Sequence, residues 1–406
     1  MDYELTEEQR QTVAAFRAFG ERTFTHESVM QWREDQGLPD DVVQEFAHLY
    51  FGLLDKDDAN GLKGSLLMQA LIIEELSRCS GTTLPFQNDL FYLYIMAGFA
   101  SDADVSTVVD NYRATGRVMF ALAVSEPQAG SDTMNMHTQV RTVDGSLRLN
   151  GVKTFVNNGE YAPYILVAAI DGDAEDQHED GQKYPPLSFW LVPRRQRGIY
   201  AYPIGKIGQP MLPFASVRFE NVELQPEWRL TGTQAGFPQL FALLERGRIF
   251  TCASSLGMAQ AAMEDAVRYA SRRTAFGTTI ADFQLIQQML VDMELRLRNM
   301  RNMLYQAAGR IDRGAPDRRL YVALMKRYIP GAATQVASDA MQIMGGMGYT
   351  VSQRVSAIWE DCRGNQLAEG TDQVMVRIAA PLIMRHYLGD QEQGADASAT
   401  QSGSVH

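Results

Sequence analysis

The stretch Gln284-Leu285-Ile286-Gln287-Gln288-Met289-Leu290-Val291-Asp292-Met293 opens the clearest helical pattern in this chain of 406 residues. Apolar residues recur here at three- and four-residue intervals, at Ile286, Met289, Met293, Leu297, Met300 and Leu304. Such spacing places them on one face of an α-helix and predicts that this face is buried. Gly314 and Pro316 separate this helix from the next, which should end at Gly345-Gly346. Helical periodicity over residues 236–389 therefore predicts an antiparallel four-helix bundle.

Upstream of the bundle, residues 118–235 carry short β-rich runs separated by turn residues, which predict a middle domain built as a β-sheet or barrel. The runs are residues 118–124, 137–143, 147–156, 164–170, 187–192 and 216–224. Asp144-Gly145 between two of them is typical of a hairpin turn. The acidic stretch 171–186 is expected to be a solvated loop.

Residues 1–117 predict a helical N-terminal domain. Thr6 and Gln9 have the spacing of a capping box at the start of the first helix. A helix over residues 66–76 is apolar on nearly all sides, which predicts that it is buried, and the glycine after it should end it. The tail, residues 390–406, is polar and predicted to be disordered. The fold class is thus α+β with three domains.

Composition and charge argue against several classes of function. A net charge of −12 argues against a nucleic-acid partner, which needs a concentrated basic surface. The three cysteines, Cys79, Cys252 and Cys362, lack the spacing of disulfides or metal ligands, and the histidines form no metal-like pair, so we expect reduced thiols and no metal site. No apolar run approaches the roughly 20 residues of a membrane helix, and the acidic N-terminus resembles no targeting signal. A cytoplasmic protein is expected.

Four short motifs carry candidate chemistry, and each is weak alone. They are Val124-Ser125-Glu126-Pro127 with Gly130-Ser131-Asp132, Phe155-Val156-Asn157-Asn158-Gly159, Arg273-Thr274-Ala275-Phe276-Gly277, and Ala368-Glu369-Gly370-Thr371-Asp372-Gln373. The first is also typical of a capped loop, an aromatic residue such as Phe155 of a core position, and Gly345-Gly346 of a helix stop. Their occurrence together in this order is what supports a functional interpretation.

This ordered set resembles the flavin-dependent acyl-CoA dehydrogenase family, and the resemblance covers nearly all of residues 1–388. It implies FAD as the cofactor and an assembly of two or four identical subunits. On the family pattern, Leu122, Val124 and Ser125 line the flavin ring, and Ser131 meets both the flavin and the pantetheine of the acyl-CoA. Phe155 would stack on the flavin, and Asn157 would lie near N5 in place of the family's usual threonine.

The resemblance also implies that a neighbouring subunit completes the flavin site. The residues implied to hold the ADP half of FAD are Arg273, Phe276, Gln284, Gln342, Gly345 and Gly346. A guanidinium suits pyrophosphate, and glycines let the backbone approach a ligand closely. Thr371 and Gln373 are further cofactor-binding candidates. A Rossmann NAD site is not supported, because no GxGxxG motif follows a strand.

Glu369 resembles the catalytic base of the family. There the base takes the α-proton of the thioester, and its own backbone amide with a flavin ribityl hydroxyl holds the thioester oxygen. Arg248, Gly370 and Ser131 would contact the substrate. Some branches place the base instead at the position of Gly247, so a glycine there favours Glu369. Glu245 is a secondary candidate.

The function implied is oxidation of an acyl-CoA to its trans-2-enoyl product, with an electron-transferring flavoprotein as acceptor. Three alternatives stay open: an acyl-CoA oxidase, a dehydrogenase of a carrier-protein thioester, and a flavin-free binding partner. Ala368 replaces a tyrosine common beside the base, which predicts a roomier pocket, and residues 51–57 lack the family's usual turn. Residues 85–89 lie near the acyl pocket by family position, or form a surface turn. The acyl group itself is left open.

Overall fold

The computed structural model describes residues 5–54, 65–99, 110–112, 114–116, 120–175, 184–230 and 236–388. The N-terminal part is helical, as predicted. Its helices are α1 (Glu7–Thr23), α2 (His26–Glu34), α3 (Asp40–Leu54), α4 (Leu66–Ser80) and α5 (Phe86–Phe99). Thr6 and Gln9 form the predicted capping box. Helix α4 is buried over most of its length and ends at Gly81, whose φ of 67° favours glycine. Part of the stretch 51–57 and the tail 390–406 lie outside the described residues.

The middle part holds one seven-stranded mixed sheet. Its strands are β1 (Phe120–Ala123), β2 (Gln139–Val143), β3 (Ser146–Asn157), β4 (Tyr164–Asp171), β5 (Leu187–Pro193), β6 (Ile199–Ile204) and β7 (Phe214–Leu224). The spatial order is β1-β4-β2-β3-β7-β6, with β5 also paired to β4. Strand β4 runs parallel to β1 and β2, whereas the other pairs are antiparallel.

Two details of this sheet differ from the sequence-based expectation. Strand β6 was not predicted. It lies at the sheet edge with Tyr200 and Tyr202 exposed and contains Pro203, so it lacks the buried alternation that identifies a strand. The acidic stretch expected to be a loop begins with the last residue of β4 and a single-turn helix, α6 (Gly172–Glu175). Asp144 and Gly145 form the predicted hairpin turn, both with positive φ.

The C-terminal part is helical, which confirms the predicted helical, β, helical order. Its helices are α7 (Phe237–Ala270), α8 (Gln284–Asp312), α9 (Arg318–Met344), α10 (Arg354–Asn365) and α11 (Asp372–Leu388). The long helices α7, α8 and α9 pack side by side, and α10 and α11 both pack on α9. Within the predicted stripe of α8, Met293, Leu297, Met300 and Leu304 are fully buried. A two-stranded hairpin, β8 (Thr274–Ala275) and β9 (Thr278–Thr279), precedes α8 and was not predicted.

A single buried carboxylate, that of Asp361 in α10, joins the three parts of the chain. It accepts hydrogen bonds from the Arg33 guanidinium at 2.9 Å, the Thr82 hydroxyl at 2.7 Å and the backbone N–H groups of Thr83 and Gln209 at 2.9 and 2.6 Å. A buried carboxylate is stable only when it is paired and hydrogen-bonded in this way. Because α10 leads into the turn that carries Glu369, this junction fixes the start of that turn.

Two absences hold for the described residues. None of the helices among them is long and apolar enough to cross a membrane. Their histidine, cysteine, aspartate and glutamate side chains form no group of three or more that could hold a metal ion.

Candidate active site

Glu369 and Gly370 form a left-handed turn between α10 and α11. Their φ angles are 55° and 94°, a region that a glycine adopts freely and a glutamate adopts at a cost of about 1–3 kcal/mol. Thr371 caps the next helix, which begins at Asp372: its hydroxyl oxygen accepts a hydrogen bond from the Val374 N–H at 3.3 Å. The surrounding structure must therefore hold Glu369 in a conformation that its own backbone does not favour.

Two buried cations hold this turn, one from each of two different helices. The Arg248 Nε of α7 donates to the Glu369 carbonyl oxygen at 2.9 Å, and the Lys326 Nζ of α9 donates to the Gly370 carbonyl oxygen at 3.2 Å. Both cationic side chains are buried. Hydrogen bonds from a charged donor are stronger than neutral ones, so the pair fixes two successive peptide groups. The sequence motif gave no indication of Lys326, which lies 43 residues before the turn.

The Glu369 carboxyl group is desolvated. Its Oε2 atom is buried and has no hydrogen-bond partner among the described residues. Burial raises the pKa of Glu369 above its usual range, while the charges of Arg248 and Lys326 oppose that rise. A carboxylate stripped of water in this way is a stronger base than an exposed one.

Gly247 of α7 provides the space that this carboxyl group occupies. A Cβ atom at Gly247 would lie 2.5 Å from Oε2 and 2.8 Å from Cδ of Glu369, closer than real Cβ contacts come. The two base positions known from the family resemblance are therefore one place in space, reached from two elements. Glu245 differs, because it has a partner, the Arg318 guanidinium at 3.5 Å.

The first two motifs meet at the ends of β1 and β3. The Thr154 N–H donates to the Ser125 carbonyl oxygen at 2.8 Å. The Lys153 Nζ, fully buried, donates to the Val124 carbonyl oxygen at 2.8 Å and to the Glu126 carboxylate at 2.8 Å. Lys153 thus joins the segment 124–126 to the strand that carries Phe155 and Asn157. Sequence reasoning gave Lys153 no such role, although a lysine within a buried strand signals a partner.

Glu126 is the acceptor at the centre of this junction. Its carboxylate accepts the backbone N–H of His137 at 2.7 Å and that of Thr138 at 2.9 Å, in addition to the Lys153 ammonium. Burial alone would raise the pKa of Glu126, but Lys153 and these hydrogen bonds outweigh it and lower the pKa to about 2. The loop that follows β1 is therefore tied to the start of β2 by an ionised carboxylate.

The exposed surface of this junction fits a planar heterocycle. Phe155 is 59% exposed and has a φ of 56°, so it is not the core residue that an isolated aromatic would suggest. The Asn157 side-chain oxygen is buried and finds no hydrogen-bond partner in the part of the chain that the structure describes. An open aromatic face beside an unused acceptor suits a ligand that stacks and donates. Leu122, Val124 and Ser125 are half-buried on β1 and the loop after it, and Ser131 is exposed farther along that loop.

Tyr92 of α5 packs against β1 beside this surface. Its ring packs against Phe120 of β1 with 4.5 Å between centroids, and its hydroxyl oxygen accepts a backbone hydrogen bond from Leu122. Burial raises the pKa of Tyr92, and the charges of Asp89 and Glu369 raise it further. Tyr92 therefore contacts β1 directly and lies near enough to Glu369 to feel its charge.

The stretch 85–89 forms the start of α5 and is not the surface turn that was one alternative. Phe86 and Asp89 are fully buried. Asp89 has one oxygen without a hydrogen-bond partner, and the other accepts the Tyr112 hydroxyl at 3.4 Å. Burial raises the pKa of Asp89 to about 8, so the neutral acid predominates near neutral pH.

The remaining cofactor candidates lie on the surface of the chain. Arg273 and Phe276 belong to the β8–β9 hairpin, Phe276 is 97% exposed, and Gln284 begins α8. Gln342, Gly345 and Gly346 lie exposed at the end of α9, and Gln373 is exposed on α11. Within the described ranges, none of these side chains is hydrogen-bonded to the group around Glu369. Their proposed role across a subunit boundary remains a prediction.

Comparison with known proteins gives a consistent result along the whole chain. The family described as Acyl-CoA dehydrogenase, N-terminal domain, matches residues 6–107; the middle domain matches residues 121–222 and the C-terminal domain residues 234–384. The chain is 32% identical to the probable acyl-CoA dehydrogenase YdiO of Escherichia coli strain K12 over 388 residues, which cover 95% of this chain and 99% of that protein.

Solved structures agree. The acyl-CoA dehydrogenase of Slackia heliotrinireducens shares 52% identity and superposes with a TM-score of 0.85 over 96% of this chain and all of that one. The butyryl-CoA dehydrogenase of Megasphaera elsdenii shares 26% identity with a TM-score of 0.81, over 95% of this chain and all of that one.

Proposed function

Because the chain belongs to the acyl-CoA dehydrogenase family and is an oxidoreductase that acts on an acyl-CoA, we propose that it converts its substrate to the trans-2-enoyl-CoA with Glu369 as the base. The observation that carries this proposal is the Oε2 atom of Glu369, which is buried, unpaired and accommodated by Gly247. An unpaired buried acceptor is rare in proteins and calls for a functional explanation.

Glu369 would take the α-proton of the thioester. The α-carbon of a thioester is only weakly acidic, so the base must be both oriented and poorly solvated. Arg248 and Lys326 supply the orientation, and burial supplies the raised basicity. The backbone N–H of Glu369 donates no hydrogen bond to another described residue, which leaves it available to the thioester oxygen. A donor placed there stabilises the negative charge that develops on that oxygen.

FAD, when bound, supplies the acceptor for the β-hydrogen, which leaves as hydride. The residues proposed to hold its ring are Leu122, Val124, Ser125, Ser131, Phe155 and Asn157. The free Asn157 oxygen and the open Phe155 face favour this placement. A second subunit would contribute Arg273, Phe276, Gln284, Gln342, Gly345 and Gly346 to the ADP half, and Thr371 and Gln373 would complete the set. The exposure of most of this second group favours an assembly of identical subunits.

The electron acceptor proposed from the family pattern is an electron-transferring flavoprotein, and the substrate is proposed to be a CoA ester. Arg248 and Gly370, which lie together at the base, and Ser131 would meet the substrate. The Gly370 Cα lies close to Arg248, because a Cβ there would come 3.5 Å from a guanidinium nitrogen.

The test replaces Glu369 by glutamine in protein that has been loaded with FAD. We expect a folded, yellow protein whose flavin is no longer reduced by acyl-CoA under anaerobic conditions, with a loss of about 10²- to 10⁴-fold in rate. Glu245→Gln is the matched control and should retain reduction. A panel of acyl-CoA esters differing in length, branching and polarity identifies the substrate. Normal reduction in Glu369→Gln would refute the assigned base, and failure of the wild type to take up FAD would refute the whole proposal.

A further inference from the structure

Lys326 is an unusual buried cation. It lies in the middle of α9, is fully buried, and makes one hydrogen bond to another described residue, at 3.2 Å to the Gly370 carbonyl oxygen. Throughout the described part of the chain, no carboxylate lies within ion-pair distance of its ammonium group. Burying a lysine without an anionic partner is costly, so a purely structural role would be better served by an apolar residue.

The neighbours of Lys326 offer it no closer partner. Asp372 is paired instead with Arg327 at 3.7 Å and with the Gln366 side-chain amide at 3.0 Å. Cys252 is fully buried, and burial raises the pKa of its thiol to about 12, so it is neutral. The carbonyl oxygen of Gly370 is therefore the one described group to which Lys326 is hydrogen-bonded, while the charges of Asp372 and Glu369 favour its ammonium form from nearby.

Lys326 and Arg248 bind successive carbonyls of one turn, from opposite helices. Arg248 donates to the carbonyl of Glu369 and Lys326 to that of Gly370. Both carbonyl oxygens accept from a buried side chain, and a buried carbonyl that loses its donor is destabilising. If Lys326 were removed, the Gly370 carbonyl would lose its donor, and the peptide group after the base would be free to rotate.

We propose that Lys326 is a positioning residue for the base: its ammonium group fixes the peptide that follows Glu369, and its positive charge favours the ionised form of the adjacent carboxyl group. This inference rests on the proposed role of Glu369. Lys326 touches neither the substrate nor the cofactor in this account, and it acts only through the turn.

The groups that face the Glu369 carboxyl group set the direction of the effect. Arg248 of α7 and Lys326 of α9 favour its ionised form, and burial opposes it. Tyr92 of α5 also feels the charge of Glu369 and is neutral, because burial raises its pKa to a value far above neutral pH. Glu245 faces Arg248 and is paired with Arg318. Loss of the Lys326 charge therefore raises the pKa of Glu369.

The experiment compares two replacements of Lys326 in FAD-loaded protein. Lys326→Met removes both the charge and the hydrogen bond at similar length, and Lys326→Gln removes the charge but keeps a donor. Two quantities are measured against pH: the rate of anaerobic flavin reduction by a fixed acyl-CoA, and the infrared absorption of the protonated carboxyl group. Glu369→Gln identifies the band, since that variant lacks it.

We expect both variants to move the acidic midpoint upward by about one pH unit. At pH values below the midpoint, each variant should reduce its flavin about tenfold more slowly than the wild type, because a shift of one pH unit changes the ionised fraction of Glu369 about tenfold. At high pH, Lys326→Gln should recover more of its rate than Lys326→Met, since its amide can still hold the turn. Lys206→Met is the matched control: Lys206 is a half-buried lysine that donates to the Leu212 carbonyl oxygen, and its loss should lower the melting temperature without moving the midpoint.

The outcomes separate this inference from the proposed function. An unmoved midpoint in both Lys326 variants, with Glu369→Gln inactive, overturns the positioning role and leaves the base assignment intact. Reduction at the normal rate in Glu369→Gln overturns the base assignment itself. If Lys326→Met fails to hold FAD, infrared titration of the variant that folds still tests the proposal, because this measurement requires no turnover. A carboxyl band that titrates at the same pH as in the wild type would contradict the proposal.

Discussion

Replacing Gly247 by alanine should disable Glu369 although it touches neither flavin nor substrate. The new Cβ atom would lie 2.5 Å from the Glu369 Oε2 atom, whereas an ordinary contact begins at 3.4 Å. The carboxyl group must therefore move by about 1 Å, and a displacement of that size at a reacting group costs about 10²-fold in rate. Overpacking of this kind also lowers the free energy of unfolding by about 1–3 kcal/mol.

The assay is the rate of anaerobic flavin reduction in Gly247→Ala after saturation with FAD, together with flavin content and urea unfolding. Gly52→Ala is the matched control. Gly52 lies in α3, and a Cβ there would meet no atom of the described residues within 4 Å, so the same change should leave the rate unaltered. Helix propensity favours alanine over glycine, so the control should be as stable as the parent or slightly more so.

A decrease in rate with unchanged flavin content would support the geometry. If Gly247→Ala instead binds FAD and reduces it at the wild-type rate, the Glu369 carboxyl group does not occupy the space beside Gly247 during the reaction. In that case the reasoning from the close contact would be refuted, and Glu245 would become the next base to test.

Three further predictions concern the cofactor side. Lys153→Met should lower the free energy of unfolding by about 3–5 kcal/mol in urea melts, since it leaves the Glu126 carboxylate buried without its cation. The pKa of Glu126 is about 2 in the folded protein, below its ordinary 4.5. The stability that its ionised form contributes is therefore complete above about pH 4.5 and is lost as the pH falls toward 2. In Glu126→Gln, the free energy of unfolding should decline less steeply over that pH window. Arg273→Ala should bind FAD weakly, and subunits of this variant mixed at random with Glu369→Gln should regain activity in roughly a quarter of the sites if the site spans two subunits. No recovery from the mixture would place Arg273 and Glu369 in the same subunit's site or in none.

The helices of the chain were largely predictable because their signals are local. The stripe from Met293 to Leu304 is buried as its spacing required, and the capping box at Thr6 and the glycine stop at Gly81 both form. These features depend on neighbours three or four residues away, which a single sequence displays. Strand β6 escaped prediction for the converse reason: an edge strand is defined by its partner β7, and its own residues are exposed.

In the candidate site, too, residues in local motifs were predictable and residues that depend on distant segments were not. The motif around Glu369 and the glycine at position 247 were recognisable as short patterns, and the structure brings them into contact. Lys326 and Lys153 were not, because each is a single lysine whose role depends on an acceptor supplied by a distant segment. Tyr92 was not predicted either, since only folding brings α5 against β1. Sequence order can indicate which segments converge, but it cannot show which donor each carbonyl receives.

The turn formed by Glu369 and Gly370 must hold a strained backbone and also set the basicity of the Glu369 carboxyl group. A left-handed glutamate costs about 1–3 kcal/mol, and hydrogen bonds from charged donors contribute about 1.5–3 kcal/mol each before the cost of burying those charges. Arg248 and Lys326 thus offset the strain of the turn. The same two charges oppose the rise in the pKa of Glu369 that burial causes, so the side chains that shape the turn also favour the ionised form of its carboxyl group. Orientation and basicity of Glu369 are therefore not independent properties of this site, and removal of either cation must change both.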